Sequence, residues 1–155
     1  MSDANSRAIH AKTILCFDYG TQSIGIAVGQ SVTRTATPLT VLKAKDGVPN
    51  WDNVKKIIDE WQPHLLLIGL PLNMDGSASA IGARAQKFAN RLHGRFGLPI
   101  AMADERLSSF EAKGDIIKRT GSRDFKSNDV DSLAAKIILE SWFAQQRAQR
   151  QADHR

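Results

Sequence analysis

The chain has 155 residues, with 21 Lys and Arg against 16 Asp and Glu, a formal charge of +5, and a single cysteine. That length suits one domain around one core, the lone cysteine excludes an intramolecular disulfide and a thiolate metal cluster, and no apolar run approaches the roughly 18 to 20 residues of a membrane span. The cationic excess points toward a polyanionic partner, and the polar opening Met1-Ser2-Asp3-Ala4-Asn5-Ser6-Arg7 lacks the apolar segment of a signal peptide, so a cytoplasmic protein with a flexible segment over 1–11 is expected.

The bounded apolar run Thr13-Ile14-Leu15-Cys16-Phe17 reads as a core strand, with Cys16 a small core residue and Asp18 at the strand's exit. A short polar connection leads to Ile24-Gly25-Ile26-Ala27-Val28-Gly29, a second strand, so 12–18 and 23–29 form a hairpin. Residues 33–42, rich in Thr and Val, continue it as a three-stranded meander. Trp51, Val54, Ile57, Ile58 and Trp61 recur at helical spacing, and Pro63 ends that helix. His64-Leu65-Leu66-Leu67-Ile68-Gly69 is apolar on both faces, as in a sheet covered on both sides. The loop Gly69-Leu70-Pro71-Leu72-Asn73-Met74-Asp75-Gly76 follows at that strand's C-terminal end, the edge where open α/β sheets bind ligands.

The longest expected helix covers 79–96, with Ile81, Ala85, Phe88 and Leu92 on one face and Arg84, Lys87, Arg91 and Arg95 beside it. Such a row is commonly a solvated face, yet four cations without an acid also suit a phosphate track. Residues 98–103 read as a strand running into Asp104-Glu105-Arg106, and Ser108-Ser109-Phe110-Glu111 matches a capping box that makes Glu111 structural. A basic loop over 114–128 precedes a last helix carrying Val130, Leu133, Ala134, Ile137, Ile138 and Trp142, with Asp131 in its first turn and a polar tail over 144–155.

Three acids therefore stand at the edges of core elements: Asp18, Asp104 or Glu105, and Asp131. Asp is favoured in turns, and an acid in a first helical turn is favoured by the dipole, so each has a structural reading. Together they suit two-metal phosphodiester hydrolysis, in which carboxylates hold two divalent ions roughly 3.5 to 4 Å apart. His10, His64, His93 and His154 show no metal-ligand spacing, leaving oxygen as the donor.

Asp18-Tyr19-Gly20-Thr21 with Ile24-Gly25-Ile26-Ala27-Val28-Gly29, then Gly69-Leu70-Pro71-Leu72-Asn73-Met74-Asp75-Gly76, Asp104-Glu105-Arg106-Leu107-Ser108 and Val130-Asp131-Ser132 stand in the order that resembles the YqgF family, also called RuvX. That family comprises Holliday junction resolvase relatives regarded mainly as nucleases maturing the 5′ end of pre-16S ribosomal RNA. The resemblance spans about 12–143. It implies an α/β, ribonuclease H-like three-layer domain: a five-stranded mixed sheet, its first three strands antiparallel, with helices on both faces. It further implies a hydrolase of ester bonds using Mg²⁺ or Mn²⁺ on Asp18, Glu105 and Asp131, with Thr21, Asn73 and Arg106 against the substrate; Arg84, Lys87 and Arg91 are expected to touch it on their charge pattern alone. Strand parity alone leaves Asp104 and Glu105 open, since they face opposite ways; the resemblance favours Glu105. Gln22 departs from the family, where many members carry Lys, and Asp129 lies outside the motif as a cap or loop residue.

The expected partner is nucleic acid, with pre-rRNA favoured over branched DNA, ribosome-associated factors as protein partners, and a monomer favoured over a homodimer because no dimerisation stripe is readable. Two rivals differ in kind. The Asp-x-Gly-Thr hairpin also occurs in two-lobed ATP-binding proteins of the actin and sugar-kinase superfamily, but this chain supplies one lobe. A nucleic-acid-binding module without turnover would explain the cations, but its acid cluster would repel phosphates in the absence of metal.

Overall fold

The computed structural model describes residues 12–70, 80–104 and 127–153, with side chains of the last segment described for 132–146. The elements are β1 (Thr13–Asp18), β2 (Ser23–Gln30), β3 (Thr35–Lys45), β4 (Val48–Pro49), α1 (Trp51–Trp61), β5 (Leu65–Leu70), α2 (Ala80–Phe96), β6 (Ile100–Asp104) and α3 (Ser127–Asp153). They form one mixed sheet in the order β4-β3-β2-β1-β5-β6. The meander β1 to β3 is antiparallel, and β1, β5 and β6 run parallel to one another.

β1 sits centrally and buries both faces, which is why its sequence shows no polar alternation. Leu15 and Phe17 join Ile24, Ile26, Leu66 and Ile68 on one side, covered by Val54 and Ile58 of α1 and Ala85, Phe88 and Leu92 of α2. Ile14 and Cys16 join Leu67 and Ala103 on the other, covered by Ile138, Leu139 and Phe143 of α3. This is the three-layer ribonuclease H-like arrangement that the resemblance implies, with one strand more than expected. The extra strand is β4, two residues pairing Ala44 with Pro49 and Lys45 with Val48.

Local chemistry sets the helix limits. Asn50 caps α1 by accepting from the Asp52 backbone N–H at 2.9 Å, and Gln62 closes it in the left-handed region at φ 45° just before Pro63. In α2, Ile81 is 38% exposed rather than part of the core face, because the buried row starts at Gly82 and Ala85. α3 begins at Ser127, so Asp131 is its fifth residue and lies beyond the first turn. The helix also continues past Phe143 to Asp153, through a stretch of Ala, Gln and Arg that favours helix and contains neither Gly nor Pro.

α3 lies close to the sheet because Gly25, Ala27 and Gly29 present a small-residue face of β2 on its side. A β-carbon at Gly29 would stand 2.6 Å from Leu139 Cδ2, 2.9 Å from Phe143 Cε2 and 2.9 Å from the Thr35 carbonyl oxygen. Gly29→Val should therefore destabilise the fold by about 1–3 kcal/mol, despite valine's strand preference. An unchanged melting temperature would show that α3 rides over the added side chain without cost.

Candidate active site

The parallel strands β1, β5 and β6 end at one edge of the sheet. Phe17 pairs with Ile68 and Ile68 with Met102, while Leu70 pairs with Asp104. Asp18 thus stands level with Gly69 and Ala103, and Asp104 one residue beyond. Alternation decides their sides. Asp18 shares the side of Ile14 and Cys16, under α3, whereas Asp104 shares that of Ile100 and Met102, toward α1 and α2.

The turn after Asp18 is held from two directions. Gly20 leaves no room for a side chain, since a β-carbon would lie 2.5 Å from the Ser23 carbonyl oxygen. The Gly47 N–H donates to the Thr21 carbonyl at 2.8 Å and the Ala44 N–H to the Gln22 carbonyl at 2.9 Å, tying the turn to the β3–β4 connection. Gly47 has φ +80°, and a β-carbon on it would overlap the Tyr19 hydroxyl, so glycine is required there for both conformation and space. Tyr19 in turn packs on Phe88, with ring centroids 5.2 Å apart. Asp18 therefore leaves a rigid strand into a turn braced by backbone hydrogen bonds and an aromatic contact.

α3 covers the side of the sheet that Asp18 faces. Leu139 and Phe143 lie over Gly29, which pairs with Ile14 at the opposite end of the hairpin from Asp18 and Gly25. Ser132, Ala134 and Ala135 precede them and are buried as well. Asp131 belongs to this same helix, eight residues before Leu139.

The cationic row of α2 is exposed, as its spacing suggests, but its members differ. Arg84 brings a guanidinium nitrogen to 3.5 Å from the Asp46 carbonyl, beside the braced turn. Arg95 lies 4.3 Å from the centroid of the Trp51 ring, a cation–π contact that gives it a structural role. Lys87 and Arg91 stand between them. The whole row belongs to the layer opposite the side that Asp18 faces. Glu105, Asn73, Arg106, the Ser108 to Glu111 capping box and the basic segment 114–126 lie outside the described residues.

Among the described residues no three metal-ligating side chains gather, a set that excludes Glu105 and the side chain of Asp131. The donors that remain favour oxygen chemistry. Cys16 is buried in the core, His64 Nδ1 accepts from the Thr13 N–H at 3.1 Å, and His93 Nδ1 lies 2.9 Å from the Leu98 carbonyl. Carboxylates at the strand edge fit a hard divalent cation, and neither histidine is placed to compete. The sequence reading passed over Lys43, Lys45 and Gly47. The Asp-Gly at 46–47 was their available signal, since it marks a hairpin turn.

The chain has relatives among known proteins. A relative from Haemophilus ducreyi, provisionally named a pre-16S rRNA nuclease, is 59% identical over 133 residues, covering 86% of this chain and 96% of that one. A relative of the same name from Pectobacterium carotovorum is 56% identical over 136 residues, covering 88% and 98%. Among solved structures, Thermus thermophilus RuvC in complex with a Holliday junction substrate matches with a TM-score of 0.52 at 12% identity, covering 88% of this chain and 96% of that one. The yeast mitochondrial Holliday junction resolvase matches at 0.51 and 14% identity, covering 89% and 81%; both likenesses concern the fold. The model of the RuvX family, described as Holliday junction resolvase, matches residues 12–145, and the chain belongs to that family.

Proposed function

We propose that this protein is a metal-dependent nuclease that hydrolyses phosphodiester bonds in maturing the 5′ end of pre-16S rRNA, with Asp18, Glu105 and Asp131 as the metal-holding acids. The observation that carries this reading is the position of Asp18: a carboxylate at the exit of a fully buried strand, on the side of the sheet covered by the helix that contains Asp131. Of the neighbouring pair Asp104 and Glu105, the family resemblance favours Glu105. The names borne by relatives at 55–59% identity favour ribosomal RNA.

Mg²⁺ or Mn²⁺ held by these acids would supply an activated water and charge neutralisation at the leaving oxygen. The chain's own part is orientation. The braced turn fixes Asp18 and the Thr21 backbone, so the carboxylate needs little rearrangement when a phosphate arrives. Thr21, Asn73 and Arg106 are proposed to touch the substrate near the acids, and Arg84, Lys87 and Arg91 to follow its backbone, led by Arg84 at the site end of α2. No helix among the described residues is long and apolar enough to cross a membrane. We place the protein in the cytoplasm, acting as a monomer beside ribosome-associated factors, within the domain 12–143.

The family description and the structural neighbours favour branched DNA as a second reading. Cleavage of an RNA spanning the 5′ end of pre-16S rRNA, compared with a four-way DNA junction in Mg²⁺ and in Mn²⁺ while mass is measured in solution, separates the two. Cutting of the RNA by a monomer is the expected result. Paired symmetric cuts in the junction by a dimer, with the RNA left intact, would replace this reading with the resolvase one.

A further inference from the structure

β3 extends beyond the level of the Asp18 carboxylate and carries two lysines there. Gly25, which pairs with Asp18, also pairs with Val41; Lys43 pairs with Ser23, and Lys45 stands two residues further, opposite Val48. Alternation therefore sets Val41, Lys43 and Lys45 on the Asp18 side of the sheet, while Leu42 and Ala44 pack into the opposite core. Both lysines are exposed, and neither side chain makes a hydrogen bond or ion pair with any described residue.

Their placement relative to Asp18 is fixed by the backbone. Ala44, between them, donates to the Gln22 carbonyl, and Gly47, just after them, donates to the Thr21 carbonyl. Strand spacing and rise put the Lys43 Cα roughly 12 Å from that of Asp18, and a flexible four-carbon stem lets each ammonium close part of that gap. Asp46 follows directly at the tip of the turn, and it is the acid nearest to them in sequence.

We propose that Lys43 and Lys45 form a phosphate-binding shoulder for the nucleic-acid strand that lies across Asp18. The proposal rests on the nuclease reading and adds to it substrate contacts on the α3 side of the sheet. A strand leaving this shoulder over the Asp46-Gly47 turn would meet Arg84 on the far side, so the three cations would bracket the β1–β2 turn. The competing explanation is edge protection, because lysines on an outer strand discourage pairing with another chain. β4 covers β3 only at 44–45, which leaves much of its outer edge open.

The test uses the non-cleaving Asp18→Asn protein with and without Lys43→Gln and Lys45→Gln, and measures binding of single-stranded RNA by fluorescence anisotropy between about 50 and 200 mM salt. The double substitution should weaken binding and lower the salt slope by about 1.4, or roughly 0.7 for each lost phosphate contact. Single-stranded DNA of the same sequence should show the same fall, since the phosphates are common to both; a fall confined to RNA would overturn the phosphate assignment. Lys55→Gln with Lys56→Gln on α1 removes equal charge from an exposed part of the opposite layer and should leave the slope unchanged. If the Lys43/Lys45 pair melts early, Lys45→Gln alone should still lower the slope by about 0.7.

An unchanged slope, or an equal fall in the α1 control, overturns the shoulder. Self-association of the variant with unchanged RNA affinity also overturns it, in favour of edge protection. If the native protein cleaves the RNA while the slope stays fixed, the lysine assignment falls alone; if native and Asp18→Asn proteins neither cleave nor bind, the nuclease reading falls with it.

Discussion

Asp18→Asn should lower metal-dependent cleavage by about a thousandfold or more, the scale on which loss of a central catalytic group acts, while leaving the fold intact. Asp18 ends β1, and the hydrophobic anchoring of that strand comes from Ile14, Leu15, Cys16 and Phe17, all buried, so amide for carboxylate removes little packing. Acids gathered for a cation repel one another without it. The metal-free variant should therefore melt at the native temperature or slightly above. Adding Mn²⁺ reverses the order, because an ion bound only by the folded state stabilises it in proportion to its occupancy, and the variant should gain less than the native protein. Cleavage at the native rate in the variant would remove Asp18 from the chemistry, and binding without turnover in both proteins would favour a non-catalytic module.

Glu105→Gln and Asp104→Asn should separate just as sharply. The two acids are neighbours in sequence, and Asp104 is the last residue of β6. Asp104 takes the side of Ile100 and Met102, away from the side that Asp18 and the small-residue face of β2 share with α3. Glu105 is the acid of the pair that the family resemblance favours. Glu105→Gln is expected to lose about a thousandfold in cleavage, and Asp104→Asn to stay within about tenfold. Steady-state rates in Mn²⁺ give the comparison, and the reverse order would make Asp104 the ligand.

The side that Asp18 faces was beyond the sequence for a physical reason. β1 is apolar on both faces, so its pattern does not reveal which side α3 covers. The element order and the parallel strands were legible because β5 and α1 have the continuous or periodic apolar patterns that burial demands. β4 was not, since two residues, one of them proline, carry no period. The end of β3 was hidden similarly. Pro38 and the register shift between Ile26 and Ala27 interrupt its alternation, and Lys43-Ala44-Lys45 has little strand preference of its own, so the strand legible in the sequence stops at Leu42. Asp131 was assigned to a first turn because the visible apolar periodicity begins at Val130, whereas Ser127 and Asn128 already belong to the helix.

The chain also carries a built-in reporter on this side of the sheet. Its sole cysteine, Cys16, is fully buried two residues before Asp18 on the side covered by α3. A thiol so enclosed reacts only when its cover opens. Alkylation at Cys16 therefore times the opening of this layer, by α3 lifting from the sheet or by global unfolding, and an ion or strand that ties Asp131 to Asp18 would slow the first route.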